Sequence, residues 1–215
     1  MYKEKILFVL LMFSLSLTQV KGQGFVKKLM SKMYAGPKIE ANASNFFLSD
    51  MKGTKSKMGI GGSVGGFIGL RVSSHFAIQE DFSVYYRTSM LEREFVNHDI
   101  KNIGTQMTIY GIGKWKIGNG NVMVGAGPFA EFGINAKSKS NGVETDLYKQ
   151  DVDGNTSLKR FNAGAALTVG YEFRFGLQVC ASYKLGLLDV LDAQRNTATL
   201  RPGIISLGIA YTLSK

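Results

Sequence analysis

The stretch FNAGAALTVGYEF, residues 161–173, decides the fold because its residues alternate at period two from end to end. Leu167 and Phe173 fall on one face with other apolar residues, whereas Asn162 and Glu172 fall on the opposite face among glycine, alanine and threonine. This alternation is typical of a β-strand with one apolar and one polar face. The segment is longer than the usual soluble strand of about five or six residues, and its length suits a tilted membrane crossing.

The same alternation, regular in the second half of the chain and rougher in the first, predicts seven further strands. Eight strands are an even number, so the chain returns to the side on which the first strand begins. The pattern therefore predicts an all-β fold, an eight-stranded antiparallel up-and-down transmembrane β-barrel. The seven further strands are predicted over residues 38–47, 59–72, 76–91, 104–117, 122–136, 177–187 and 205–213.

The connections between these strands alternate in length, as they do in bacterial outer-membrane barrels. Three are tight and rich in turn-forming residues, at 73–75, 118–120 and 174–176. We expect these to be periplasmic turns, and we expect the longer polar connections to be external loops. The predicted loops are 48–58, 92–103, 137–160 and 188–199.

The N-terminus carries a targeting signal rather than a part of the fold. Lys3 and Lys5 precede an apolar run that is too short to cross a hydrocarbon layer of about 30 Å as a helix. Residues 1–22 are therefore predicted to be a cleaved signal peptide. Residues 23–36 form a leader whose apolar and lysine spacing permits a short amphipathic helix, and 37–215 form the barrel.

Composition and charge limit the partners. The chain has a formal net charge of +10, but export argues against nucleic acid and favours anionic lipids and lipopolysaccharide. Cys180 is the only cysteine, so an intramolecular disulfide is excluded. The expected partners are the lipid bilayer, lipopolysaccharide and other proteins of the envelope, and the oligomeric state stays open.

The polar faces of the strands carry charges of both signs, which a small barrel would turn inward. Buried charges are tolerated mainly when they are paired, so we expect a lumen closed by ion pairs, with no role for these residues in catalysis. The upper layer of this set would hold Arg87, Glu131 and Lys184, and the lower layer its other members. The predicted lumen set is Glu40, Arg71, Asp81, Arg87, Lys114, Glu131, Glu172 and Lys184.

Aromatic residues lie on the apolar faces near the periplasmic strand ends. In transmembrane barrels such residues form a girdle at the level of the lipid headgroups. The predicted girdle comprises Phe76, Trp115, Tyr171, Phe173 and Tyr211.

Two alternatives stay open at this point. Periodicity cannot tell the inside of a barrel from the outside, so a soluble periplasmic, lipocalin-like barrel with an apolar lumen would show the same alternation. A lipid-modifying outer-membrane enzyme could use His98 in an external loop with Glu92, Glu94 and Asp99, although no distinctive nucleophile is visible.

The sequence predicts no metal and no cofactor. The run 125–130 fits a dinucleotide pattern, but strand alternation continues where that chemistry needs a helix. The run 151–155 resembles part of a calcium loop without its closing glutamate.

Three segments carry a resemblance to a known family. YGIGKWKIGNGNVMVGAGPF (110–129), GPKIEANASN (36–45) and VGYEF (169–173) resemble strands of the PorT-like outer membrane protein β-barrel domain. The likeness extends over 36–215, nearly all of the mature chain. It implies the barrel fold and an outer-membrane location, and it allows a role in an envelope or secretion assembly.

Overall fold

The structure is a computed structural model that describes residues 23–51, 53–93, 96–150, 156–191 and 198–213. The predicted signal peptide lies outside the described residues. The chain divides into two compact units, Met1–Met33 and Tyr34–Lys215. In the first unit, helix α1 spans Gln23–Met30. No helix in the described part of the chain has the length and hydropathy needed to cross a membrane.

Eight long strands form a closed antiparallel ring. The strands are β1 Met33–Ser49, β2 Thr54–Arg71, β3 Phe76–Arg93, β4 Val96–Ile117, β5 Gly120–Ser140, β6 Val143–Asp146, β7 Phe161–Phe173, β8 Leu177–Gly186 and β9 Thr199–Tyr211. Each ring strand pairs with its neighbours along the chain, β4 pairs with β5, and β1 pairs with β9 to close the circle. The short strand β6 pairs with the end of β5 and extends one hairpin. The predicted eight-stranded up-and-down barrel is therefore confirmed.

The three predicted periplasmic turns lie between strands, as expected. They occupy residues 72–75, 118–119 and 174–176. Gly118 and Gly176 adopt positive φ angles of 59° and 93°, which glycine reaches without steric cost. Tight reversals of the chain at this end follow directly from these residues.

The external side differs from the prediction because the strands continue into it. The predicted loop over 92–103 is wrong: Arg93 pairs with Val96, and strand β4 includes the rest of that segment. The predicted loops at 48–58 and 137–160 are likewise partly strand. In this segment Asp99 and Lys101 are exposed whereas Ile100 is buried, so hydrogen bonding continues while the outward face is no longer apolar. The apolar-out, polar-in alternation that marks a membrane-crossing strand therefore ends before the strand does.

The barrel is apolar on the outside and polar within. Ile60 and Leu207 are 79% and 66% exposed on the outer face, whereas Lys184 and Asn162 are each 2% exposed inside. A soluble barrel needs the opposite arrangement, because exposed apolar surface is unfavourable in water. The lipocalin-like alternative, which requires an apolar lumen, is therefore wrong.

Large apolar side chains also enter the lumen, which the sequence did not predict. One cluster consists of Tyr110, Ile112, Met123, Phe129 and Ala166. A second consists of Tyr34, Phe67, Ala77 and Ala210. The interior is therefore packed with rings and aliphatic groups as well as with charges.

Candidate functional site

The candidate site is the barrel lumen, where four strands bring a cluster of charges together at mid-height. The Lys38 Nζ lies 2.7 Å from Asp81 Oδ2 and 2.9 Å from Glu40 Oε1. The Lys184 Nζ approaches Glu40 Oε2 at 3.7 Å, and the Ser63 hydroxyl donates to the same oxygen at 3.0 Å. Two cations thus face two carboxylates, so the cluster carries no formal net charge.

A second ion pair crosses the lumen nearer the external end. Arg87 Nη1 lies 2.6 Å from Glu131 Oε2, and its guanidinium stacks 3.8 Å from the centroid of the Tyr85 ring. Asn162 donates to the other oxygen of Glu131 at 3.0 Å, and Arg87 also donates to Gln106. Both ends of the pair are therefore held by further polar partners.

A third ion pair lies near the periplasmic end. Lys114 Nζ is 2.9 Å from Glu172 Oε2. The other oxygen of Glu172 accepts hydrogen bonds from Gln178 at 3.3 Å and from Thr212 at 3.2 Å. Arg71 forms no ion pair in the described part of the chain; its guanidinium lies 5.0 Å from the centroid of the Tyr34 ring.

The structure brings most of the predicted lumen residues together but groups them differently. Lys184, expected in an upper layer with Arg87, contacts Glu40 in the central cluster. Lys38, at the centre of that cluster, was not predicted, although it shares strand parity with Glu40, two residues away. This shared parity is the sequence signal that could have identified Lys38 as a lumen residue.

The external mouth is covered by an apolar cluster that joins two loops to the strand ends. Its buried members are Ala136, Tyr148, Leu158, Val190 and Leu200. Backbone hydrogen bonds support it, including Lys159 N to Val190 O at 2.8 Å and Val190 N to Leu200 O at 3.0 Å. We call this cluster the external cap.

Tyr148 fixes the external cap to the barrel wall. Its ring contacts the backbone of Gly133, where a Cβ would lie 1.8 Å from the hydroxyl oxygen, and the Arg160 guanidinium lies 4.5 Å from the ring centroid. Burial, followed by the negative charge of Glu131, raises the pKa of Tyr148 to about 12, so the hydroxyl stays protonated at physiological pH.

Beyond the periplasmic mouth, three spaces in the lumen are small. Cavities beside Arg87, Cys180 and Lys184 measure about 40, 20 and 10 Å³. One water needs roughly 10–15 Å³, so each space has room for very few waters.

The predicted girdle residues lie at the periplasmic strand ends. Phe76, Trp115 and Tyr211 are 44%, 50% and 44% exposed. Tyr171 and Phe173 are half-buried and pack edge to face, with ring centroids 4.9 Å apart. Sequence reasoning missed Phe175, which stacks on Phe173 at 5.4 Å and was treated only as a turn residue.

Trp115 gives a direct test of the girdle, because it is the only tryptophan in the chain. In liposomes we expect a blue-shifted emission that headgroup-level quenchers reduce more than deep acyl-chain quenchers, because interfacial indoles sit at the headgroups. A Trp115→Phe, Leu167→Trp variant is the control, since Leu167 lies at the middle of β7 and should show the reverse order. Stronger quenching of Trp115 by the deep quenchers would contradict the girdle.

The structure describes His98, Glu92 and Asp99 of the residues considered for catalysis. His98 lies in strand β4 opposite Leu91 rather than in a loop, so the predicted loop placement is wrong. Glu94 and residues 151–155 lie outside the described residues. No group of three or more metal-ligating side chains occurs among the residues that the structure describes.

Comparison with known proteins gives a family match. The family model described as an outer membrane protein beta-barrel domain matches residues 27–192. No curated protein sequence matches the chain.

Solved structures similar to this chain are small barrels of bacterial surfaces. The outer membrane protein OprG from Pseudomonas aeruginosa is 12% identical, with 86% of this chain and 97% of that chain covered and a TM-score of 0.52. Ail, the attachment invasion locus protein of Yersinia pestis, is 15% identical, with 85% and 99% covered and a TM-score of 0.45. Neisserial surface protein A is 14% identical, with 84% and 97% covered and a TM-score of 0.45. At these identities the likeness to OprG shows the fold alone.

Proposed function

This chain belongs to the family of outer membrane protein β-barrel domains, and from this premise we propose that it is a sealed, non-enzymatic barrel that acts through its surfaces. It is located in the outer membrane of a Gram-negative bacterium. The observation that carries the proposal is the set of buried ion pairs across the lumen, above all the contact between Arg87 and Glu131 at 2.6 Å.

The sealing role rests on the cost of moving ions past these pairs. Arg87 and Glu131 have side chains that are 8% and 7% exposed, and the external cap lies above them. An ion entering the lumen would have to displace paired charges that are already satisfied, which is unfavourable at low dielectric. The lumen set is therefore proposed to be structural.

The proposal predicts that the protein inserts into membranes without conducting. Purified mature protein added to a planar lipid bilayer is expected to give no conductance steps, because the cavities beside Arg87, Lys184 and Cys180 are too small to form a pathway. Heat-dependent gel mobility checks that the barrel is folded, and a porin added to the same bilayer is the positive control. Reproducible ohmic steps from the wild-type protein would contradict a sealed lumen.

If the barrel is sealed and catalyses no reaction, it acts by binding other molecules at its surfaces. We propose kinship with PorT-like barrels, since the motif residues 110–129 form the β4–β5 hairpin and its turn. This kinship supports a role in an envelope or secretion assembly. Lipopolysaccharide is the proposed ligand of the external ends, where Lys55, Lys101 and Lys139 are exposed.

The proposed domain organisation follows the sequence. Residues 1–22 are proposed to be removed during export, 23–36 to form a leader and 37–215 to form the barrel. Helix α1 lies within the proposed leader, and β1 begins at Met33, before the proposed start of the barrel.

A further inference from the structure

The periplasmic mouth of the barrel contains an open cavity of about 550 Å³. We call it the periplasmic vestibule. Cavities of roughly 300–1,000 Å³ are the size of common ligand sites. Its polar lining includes Arg71, Ser73, Lys114, Asn121, Glu172 and Arg174.

Arg71 differs from four other cations that lie in the lumen. Lys38, Lys114, Lys184 and Arg87 each lie within 4 Å of a carboxylate oxygen. For Arg71, within the described ranges, the structure gives only the face of the Tyr34 ring as a partner. Its guanidinium therefore keeps its hydrogen-bond donors free at the wall of the vestibule.

In the described part of the chain, the acidic residue that lines the vestibule forms its ion pair with Lys114 and none with Arg71. Glu172 uses one oxygen for Lys114 and the other for Gln178 and Thr212. Lys114 and Arg71 lie 4.8 and 5.0 Å from the centroid of the same ring, that of Tyr34, so both positive charges are held in one small region. Arg174 adds a third cation at the exposed rim, and the lining carries a surplus of positive charge.

We propose that the periplasmic vestibule binds an acidic peptide segment of a periplasmic partner, with Arg71 as the main carboxylate-binding residue. This inference rests on the proposed function, which places the activity of the barrel on its surfaces. A free guanidinium fork fits a carboxylate through two parallel hydrogen bonds. Ser73 and Asn121 supply groups for a peptide backbone, and Phe173 supplies apolar contact at the rim.

A peptide fits this position better than a lipid headgroup does. Arg71 is directed into the barrel, against the ring of Tyr34, which is 3% exposed. The barrel wall therefore separates it from the headgroups that surround the outer face. A segment that enters along the barrel axis reaches it without crossing that wall.

The test measures binding of a short fluorescein-labelled peptide, rich in glutamate with a single phenylalanine, to the full mature protein in nanodiscs of zwitterionic lipid. We expect Arg71→Gln to weaken binding about 10- to 100-fold, as the loss of a charged hydrogen bond does. Arg71→Lys should retain part of the affinity. Lys57→Gln removes the same charge at the external end and should leave binding unchanged.

A peptide with glutamine in place of every glutamate is expected not to bind. Equal binding by Arg71→Gln, or by the glutamine peptide, would overturn the proposal. If inorganic phosphate or added anionic lipid displaces the peptide, and binding does not depend on the peptide sequence, the vestibule is a general anion site. That result would also overturn the proposal. A folded, non-conducting barrel that does not bind the peptide would refute only the proposal of peptide binding at the vestibule. Ohmic conductance would refute the proposed function, a sealed barrel.

Discussion

Replacing Arg87 with alanine is expected to lower the free energy of unfolding by about 3–5 kcal/mol, because it leaves a buried carboxylate without its cation. Among the described residues, Glu131 would keep only the hydrogen bond from Asn162 at 3.0 Å. The stacking of the guanidinium on the Tyr85 ring, now at 3.8 Å, would also be lost. The change acts in the interior of the barrel, where the small space beside Arg87 and Glu131 gives solvent little access to replace the lost partner.

Urea titration of the protein in lipid vesicles, followed by heat-dependent gel mobility, measures this effect. The double variant Arg87→Met, Glu131→Leu removes both charges and is expected to lie much nearer the wild type. Lys57→Ala breaks an exposed pair with Glu92 and should leave the urea midpoint close to that of the wild type, because solvent screens such pairs. An Arg87→Ala protein that unfolds at the wild-type urea concentration would show that this pair does not stabilise the lumen.

The sequence predicted the strands best where their two faces meet different surroundings. Strand β7 begins and ends where the alternation does, at Phe161 and Phe173, because lipid lies on one side and the lumen on the other. At the external end the surroundings change: Lys101 on the outer face is exposed, whereas Ile100 on the inner face is buried. The prediction of a loop over 92–103 is wrong there, because the backbone stays paired up to Arg93 and Val96.

Parity along a strand predicted which charges turn inward, but it could not predict which of them meet. Glu40 lies on β1 and Lys184 on β8, two strands that are not neighbours, and their contact depends on the stagger of all the strands around the ring. For the same reason nothing in the sequence distinguished Arg71, the unpaired cation, from Arg87, the paired one.

The sequence did not predict that aromatic side chains lie inside the barrel, because the space for such a ring is left by a small residue on another strand. The ring of Tyr34 on β1 occupies the place of a side chain at Gly69 on β2, where a Cβ would lie 2.2 Å from the ring. Single-strand periodicity contains no information about such complementary pairs across strands. The glycines of β2 therefore had no predicted partner.

Gly127→Val is expected to destabilise the barrel by about 3 kcal/mol, at the upper end of the usual cost of overpacking. A Cβ at Gly127 would lie 1.8 Å from the carbonyl oxygen of Ile109 on the neighbouring strand, so the backbone itself would have to move. Pro128, which follows, has no N–H to restore the ladder. This close approach gives a physical reason for the Gly-Ala-Gly-Pro sequence at residues 125–128.

Gly125→Ala is the matched control for this prediction. The added Cβ would meet the side chains of Ile112 and Thr168 at 3.0 Å and the carbonyl oxygen of Gly111 at 3.2 Å, and shifts of a few tenths of an ångström can relieve these contacts at a cost of about 1 kcal/mol. Urea midpoints and the fraction of heat-modifiable folded protein should therefore fall much further for Gly127→Val than for Gly125→Ala. Equal midpoints for the two variants would mean that β4 and β5 can separate at this point without loss, and that the close approach does not constrain residue 127.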